Sequence, residues 1–168
     1  MRFQVRQLSD DSEEGRQLTE LLFSVYVDEG FTDRESAKTA FRVEQVRKRG
    51  DVFVAWADGA VLGIVVLARP DSQFRQIANN GEAEIHLLSV RGSARGNGIG
   101  AALVRACEEQ AVSLGFRAIV LSTQPSMRAA HSLYERLGYE RSPSRNWSNP
   151  KGKSYLAFEK NLTGHRPQ

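Results

Sequence analysis

At 168 residues, with 40% apolar and 26% charged side chains, the chain is long enough for one domain with a sizeable core. Its net charge of +3 is spread along the sequence, which suits an anionic small ligand without calling for nucleic acid. The longest apolar run, Ala60 to Ala68, is less than half a membrane span, so no membrane segment is expected.

The single cysteine, Cys107, can make no intrachain disulfide and is expected to be a buried structural thiol. The first residues alternate polar and apolar and lack a signal-peptide core, so a cytoplasmic protein is expected. Phe3 and Val5 predict a half-buried strand. Asp10, Asp11 and Ser12 supply N-cap candidates for a helix carrying Leu18, Leu21, Leu22 and Val25, with Gly30 as its stop. Thr32 or Asp33 starts a second helix with Ala37, Ala40 and Phe41 on its apolar face, ended by Gly50. Val52 to Ala57 and Ala60 to Ala68 form a hairpin about Asp58-Gly59, and Gly63 marks a bulge. The polar loop from Arg69 to Gly81 contains Phe74 and Ile77, to which the sequence assigns no place.

Residues 82–90 read as a strand leading into Arg91-Gly92-Ser93-Ala94-Arg95-Gly96-Asn97-Gly98-Ile99-Gly100, a turn that opens a long helix ending at Gly115. Arg117 to Thr123 is a short strand, Pro125 opens a further helix stopped by Gly138, and Tyr155 to Glu159 is a last strand. No repeat or composition shift divides the chain, and residues 1–168 read as a single mixed α/β domain.

A glycine-rich turn before a helix bares backbone N–H groups at the positive end of the helix dipole, an arrangement that suits a pyrophosphate. Arg91 and Arg95 flank it. Gly96, Gly98 and Ala101 also fit a dinucleotide fingerprint, but the next strand ends in Ser122-Thr123-Gln124 without the ribose-binding carboxylate. No Walker loop is present, and a purely structural turn is the remaining alternative.

Arg95-Gly96-Asn97-Gly98-Ile99-Gly100 resembles the R/Q-x-x-G-x-G/A signature of the GNAT N-acetyltransferase superfamily. Ala130-His131-Ser132-Leu133-Tyr134-Glu135-Arg136-Leu137-Gly138-Tyr139 resembles that family's A-x-x-L-Y-x-x-x-G-F/Y segment, so the motif core spans residues 82–140. The resemblance implies the GNAT fold: a mixed, mostly antiparallel central sheet with helices on both faces and a splayed pair of parallel strands. It further implies acetyl-CoA as co-substrate, with the amides of Arg95, Gly96, Asn97, Gly98, Ile99 and Gly100 on the pyrophosphate. The backbone of Leu88 and Val90 would then pair with the pantetheine arm. No metal and no covalent intermediate are implied, and a homodimer is among the assemblies found in the family.

Acyl transfer to an amine needs a neutral nucleophile, and an amine with a pKa near 10.4 is neutral at pH 7 only about once in 2,500, a cost of roughly 4.6 kcal/mol. A general base relieves part of this. Alternation along a strand predicts that Glu84, His86, Leu88 and Val90 share a face. By the resemblance, Glu84 is the first candidate base, His86 the second, and Tyr134 the acid that protonates the leaving thiolate. Read from spacing alone, Tyr134 packs in the core with Leu133 and Leu137. The acceptor, a small-molecule or peptide amine, stays unidentified. The first two helices and the loop before the last strand wall its site in this fold and here supply Tyr26, Asp28, Glu29, Phe31, Arg145 and Trp147. Asp28 and Glu29 either attract a cationic amine or are surface carboxylates, and Trp147 either caps a pocket or packs beneath the last strand. A non-catalytic acyl-CoA-binding domain is the alternative function.

Overall fold

The apolar alternation of residues 51–68 closes as a hairpin in the computed structural model, which describes residues 1–163. Asp58 and Gly59 take φ of 51° and 77°, the left-handed pair that a two-residue hairpin turn requires. The strands, β2 (Asp51–Ala57) and β3 (Ala60–Ala68), shift register beside Gly63, the expected bulge. A Cβ on Gly63 would lie 2.9 Å from Ile99 and Leu103, so its absence lets the long helix lie flat on the sheet.

Around this hairpin run β1 (Gln4–Gln7), β4 (Glu82–Val90), β5 (Ala118–Thr123), β6 (Glu140–Arg141), β7 (Trp147–Ser148) and β8 (Ser154–Asn161). The order across the sheet is β1-β2-β3-β4-β5-β8-β6, with β7 paired to β8. Every pairing is antiparallel except β4 with β5. Helices α4 (Ile99–Ser113) and α5 (Arg128–Arg136) cover one face, where Leu103, Val104, Cys107 and Tyr134 pack on Phe53, Val65, Leu67 and Leu121. Helices α1 (Ser12–Leu22), α2 (Arg34–Ala40) and α3 (Val43–Arg49) cover the other, with Leu18, Leu22, Ala37, Phe41 and Val46 on Val54, Ile64 and Val66. This is the GNAT architecture that the sequence implies, and no helix among the described residues is long and apolar enough to cross a membrane.

Several boundaries differ from expectation. Asp11 caps α1 by accepting from the N–H groups of Glu13 and Glu14 at 2.9 and 3.1 Å, but the helix loosens into a π-turn at Phe23–Val27. The second helix breaks into α2 and α3 at Phe41, whose carbonyl accepts the Thr19 hydroxyl at 2.8 Å. That break turns the Phe41 ring inward against Phe23 and Tyr26, at centroid distances of 5.8 and 5.5 Å. Pro125 sits in a turn closed by Met127 N–H on the Gln124 carbonyl, and α5 begins only at Arg128. The strands β6 and β7 are too short to leave a periodic signal.

Candidate active site

Strands β4 and β5 pair only from Glu82 opposite Ala118 to Ile85 opposite Leu121. Beyond that point β5 stays with β8, while β4 stays with β3 and turns away. The cause is a bulge: Val65 of β3 faces both Leu87 and Leu88, and Leu87 is forced to φ of 56°. Residues 86–90 therefore keep a strand edge that no β5 residue covers.

The same bulge overturns the simple alternation expected for β4. Glu84, His86 and Leu87 face the α1–α3 side, whereas Leu88 and Val90 pack on the α4 side. The candidate base residues and the two apolar side chains are thus on opposite faces. The backbone edge of Leu88 and Val90 still lines the gap.

After β4 the chain makes one 3₁₀ turn at Gly92–Ala94 and reaches Gly96 and Gly98, with φ of 82° and 79°. These left-handed conformations turn the backbone from strand into helix and leave Arg95 to Gly98 exposed. The first backbone donor within α4 is Ala102 N–H, on the Gly98 carbonyl at 3.0 Å. The amides before it, at Ile99, Gly100 and Ala101, are the unpaired N-terminal donors of a 15-residue helix. Asn97 braces the turn from within, donating to the carbonyls of Ala94 and Arg95 at 2.9 and 3.3 Å. The Arg95 guanidinium stands free of the helix, paired with Glu29. Arg91 does not join it; its side chain is tied to the Val61 carbonyl at 3.0 and 3.3 Å.

On the other face a cavity of about 230 Å³ opens under the splay, lined among others by Tyr26, Arg49, Gln76, His86, Ser122 and Tyr155. A wider depression of about 750 Å³, near Arg69, Asn80 and Phe116, lies at the opposite ends of β4 and β5 and far from the glycine turn. Glu84 is fully buried. Its carboxylate accepts the N–H groups of Gln76, Ile77 and Ala78 at 2.8, 2.7 and 2.9 Å, and Nε2 of His86 closes the set. The loop from Arg69 to Gly81, which the sequence left unassigned, wraps this carboxylate. Burial by itself pushes the Glu84 carboxyl up, but the hydrogen bonds from His86 and the loop amides outweigh it and hold the group below the usual carboxylate range. An ionised acceptor on Nε2 fixes the histidine proton there by the hydrogen-bond network, leaving the Nδ1 lone pair toward the cavity, 3.4 Å from the Arg49 guanidinium.

Tyr134 is 5% exposed, its ring between Tyr139 and Phe158 at centroid distances of 5.8 and 5.9 Å. Burial raises its phenol far above the usual tyrosine range, and Tyr26 nearby adds to the effect. Tyr26 belongs to the opposite face of the sheet, packed with Phe41 and the α1–α3 side. Burial also pushes the Tyr26 phenol up, to about 12.

Other sequence candidates separate cleanly. Asp28 pairs with Arg34 at 3.8 Å on the surface and Glu29 with Arg95, so neither lines the cavity. Trp147 donates to the Ser122 hydroxyl at 2.8 Å and stacks on Tyr155 at 4.5 Å, forming the wall behind the cavity. His131 bonds the Gln124 carbonyl at 3.1 Å, and Cys107 is buried, its thiol pushed up by the apolar surroundings. Arg145 is held by Glu82 at 3.0 Å. The residues that sequence reasoning missed are Arg49, Gln76 and Tyr155. Arg49 ends the run Arg47-Lys48-Arg49, whose only local meaning is favourable charge at a helix C-terminus.

A splayed parallel pair with a left-handed glycine turn and an open helix N-terminus at its mouth defines an acetyltransferase-type cleft. A sequence model of the acetyltransferase (GNAT) family matches residues 15–139, and the chain belongs to that family. It is 39% identical over 89 residues to N-acetylaspartate synthetase of Danio rerio, a match covering 53% of this chain and 29% of that protein. The uncharacterised N-acetyltransferase YvbK of Bacillus subtilis is 30% identical over 97 residues, 58% of this chain and 57% of that one. The chain thus matches under a third of the synthetase's length and about half of YvbK. Among solved structures, a GNAT acetyltransferase from Staphylococcus aureus Mu50 superposes with TM-score 0.76 at 16% identity, covering 96% of this chain and 99% of that one. An aminoglycoside 6'-N-acetyltransferase complexed with coenzyme A gives TM-score 0.72 at 19% identity, with 98% and 99% covered. These two likenesses establish the fold.

Proposed function

We propose that the protein transfers an acetyl group from acetyl-CoA to a primary amine by direct attack within a ternary complex. The observation that carries this reading is one continuous, uncovered strand edge, residues 86–90, that runs from the glycine turn to His86. The amides from Arg95 to Gly100 suit a pyrophosphate, and the edge amides of Leu88 and Val90 suit an extended amide-bearing arm. The fold neighbour solved with coenzyme A supports the choice of ligand.

Acetyl-CoA supplies the electrophilic thioester carbonyl. The chain's own residues then have three tasks. His86 takes a proton from the acceptor nitrogen at Nδ1, directly or through a water. Glu84 is sealed by three loop amides, and its task is to hold His86 in the tautomer that leaves Nδ1 unprotonated. Tyr134 remains protonated at neutral pH and donates to the departing thiolate. As the C–N bond forms the C–S bond breaks, with one proton leaving nitrogen and one reaching sulfur.

Thiol release from acetyl-CoA across a broad amine panel, paired with calorimetric titration of acetyl-CoA, tests the assignment. Uptake with thiol release on at least one amine is the expected result. Uptake without release on any amine assigns the non-catalytic alternative, and no uptake removes both.

A further inference from the structure

We propose that the acceptor is a small amine bearing a carboxylate, and that Arg49 is the residue that receives this carboxylate; the proposal rests on the acetyl-transfer reading above. Arg49 is the last residue of α3, and the chain beyond it is pressed so close to β3 that a Cβ on Gly50 would meet the Leu67 carbonyl at 2.0 Å. Its backbone is therefore fixed, and its side chain is directed into the cavity under the splay. There the guanidinium lies over the Phe74 ring at 5.3 Å and touches Nδ1 of His86.

Arginine is rarely enclosed without an anionic partner, because the charge loses its hydration. Of the other half-buried arginines, Arg145 is held by Glu82 at 3.0 Å and Arg6 by Glu14 at 2.6 Å, while Arg91 is tied to the Val61 carbonyl at 3.0 and 3.3 Å; Arg49 has neither kind of anchor among the described residues. Among the described residues Arg49 has no carboxylate within ion-pair distance. Glu84 is near enough to favour its charge, yet both Glu84 oxygens are already taken by loop amides and His86. Among the described residues no Asp or Glu lines the cavity; besides Arg49 its polar groups are the hydroxyls of Tyr26, Thr32, Ser122, Thr123 and Tyr155, the amides of Gln76 and Gln124, and His86. Such a site repels a polyamine and attracts an anion. The planar guanidinium fork matches a carboxylate through two parallel hydrogen bonds. At about 230 Å³ the space is below the usual range for drug-sized ligands, roughly 300–1,000 Å³, and calls for a compact acceptor.

Seated on Arg49, the carboxylate leaves the amine beside His86 Nδ1 and facing the gap. The positive charge next to it also favours the neutral amine. The nitrogen lone pair then forms the C–N bond while the C–S bond breaks. The nitrogen's proton passes to Nδ1 and on to solvent, the thiolate takes the Tyr134 proton, and a proton from solvent restores the Tyr134 phenol.

Matched acceptors differing only in the carboxylate test this: L-alanine and ethylamine, L-tyrosine and tyramine, γ-aminobutyrate and propylamine, with O-phosphoethanolamine as the phosphate arm. The expected result is a preference of about 10²-fold in kcat/KM for at least one carboxylate-bearing member over its partner. Arg49→Gln should erase this preference chiefly through acceptor KM, Arg49→Lys should keep part of it, and acetyl-CoA affinity should stay within about twofold in both. Loss of an enclosed unpaired charge should leave the Tm of Arg49→Gln no lower than wild type, which a merely structural arginine would not allow. A binding arm independent of turnover uses the CoA-loaded protein: N-acetyl amino acids should bind wild type but not Arg49→Gln, and their carboxamides should bind neither. Equal or better use of the decarboxylated amines, preference for the phosphate, or N-acetyl amino acid binding unaffected by Arg49→Gln overturns the carboxylate assignment. Failure of acetyl-CoA to bind at all overturns the acetyl-transfer reading instead.

Discussion

Arg95 and Glu29, 66 positions apart in sequence, form a two-point ion pair with N···O distances of 3.1 and 2.7 Å, joining the segment after α1 to the glycine turn. Both side chains are partly exposed, at 48% and 38%, so the pair is a weak latch: exposed ion pairs contribute about 0–1 kcal/mol. An arriving pyrophosphate must compete with Glu29 for the guanidinium. Glu29→Gln should therefore tighten acetyl-CoA binding by up to about fivefold at low ionic strength, with the gain fading as salt screens the pair. Calorimetric titration at two salt concentrations measures it, and unchanged affinity at low salt would detach Arg95 from the phosphate site.

The sealed carboxylate of Glu84 makes a stability prediction. Its folded pKa lies below the unfolded value, so its contribution is present above the unfolded carboxylate pKa, near 4.3, and is lost as pH falls through the folded one. Glu84→Gln breaks a buried charge-assisted network and should cost about 3 kcal/mol at pH 7, or roughly 6–12 °C in Tm. The gap from wild type should narrow in thermal melts taken below about pH 4. A gap constant with pH would show that the carboxylate is not ionised in the fold.

Tyr134 is predicted to act through its hydroxyl proton. Tyr134→Phe keeps the packing against Tyr139 and Phe158, so the melting temperature should hold within a few degrees. Turnover should fall about 10²-fold with little change in the acetyl-CoA KM. Steady-state kinetics on any accepted amine decides it, and unchanged turnover removes Tyr134 from the chemistry.

Gly98 and Gly59 make a controlled pair, since each has positive φ and open space where a Cβ would stand. An alanine at either should cost about 1–2 kcal/mol through the left-handed backbone alone. Only Gly98→Ala should also weaken acetyl-CoA binding, because only that turn presents amides to the ligand. Equal affinities in the two variants would move the pyrophosphate elsewhere.

Local signals determine much of this fold. Asp58-Gly59 determined the hairpin, Gly96 and Gly98 the left-handed turn, and the tyrosine segment the place of α5, because each depends on a few neighbouring residues and their allowed backbone angles. The central strand was legible as a strand but not in its facing. A bulge is set by pairing with β3, and its one extra residue moves Leu88 and Val90 to the side opposite His86. Glu84 looked like a base in sequence. Only the return of residues 76–78, which carry no periodic signal, made it a buried acceptor. Arg49 reads as one more cation at a helix end, and it enters the cavity only because Gly50 lets the chain press against Leu67 and because no carboxylate from another element reaches it. Sequence determines what short-range geometry and periodicity can encode. Whether a charged group is sealed, paired or left facing a cavity depends on distant segments, and the tertiary fold alone decided it.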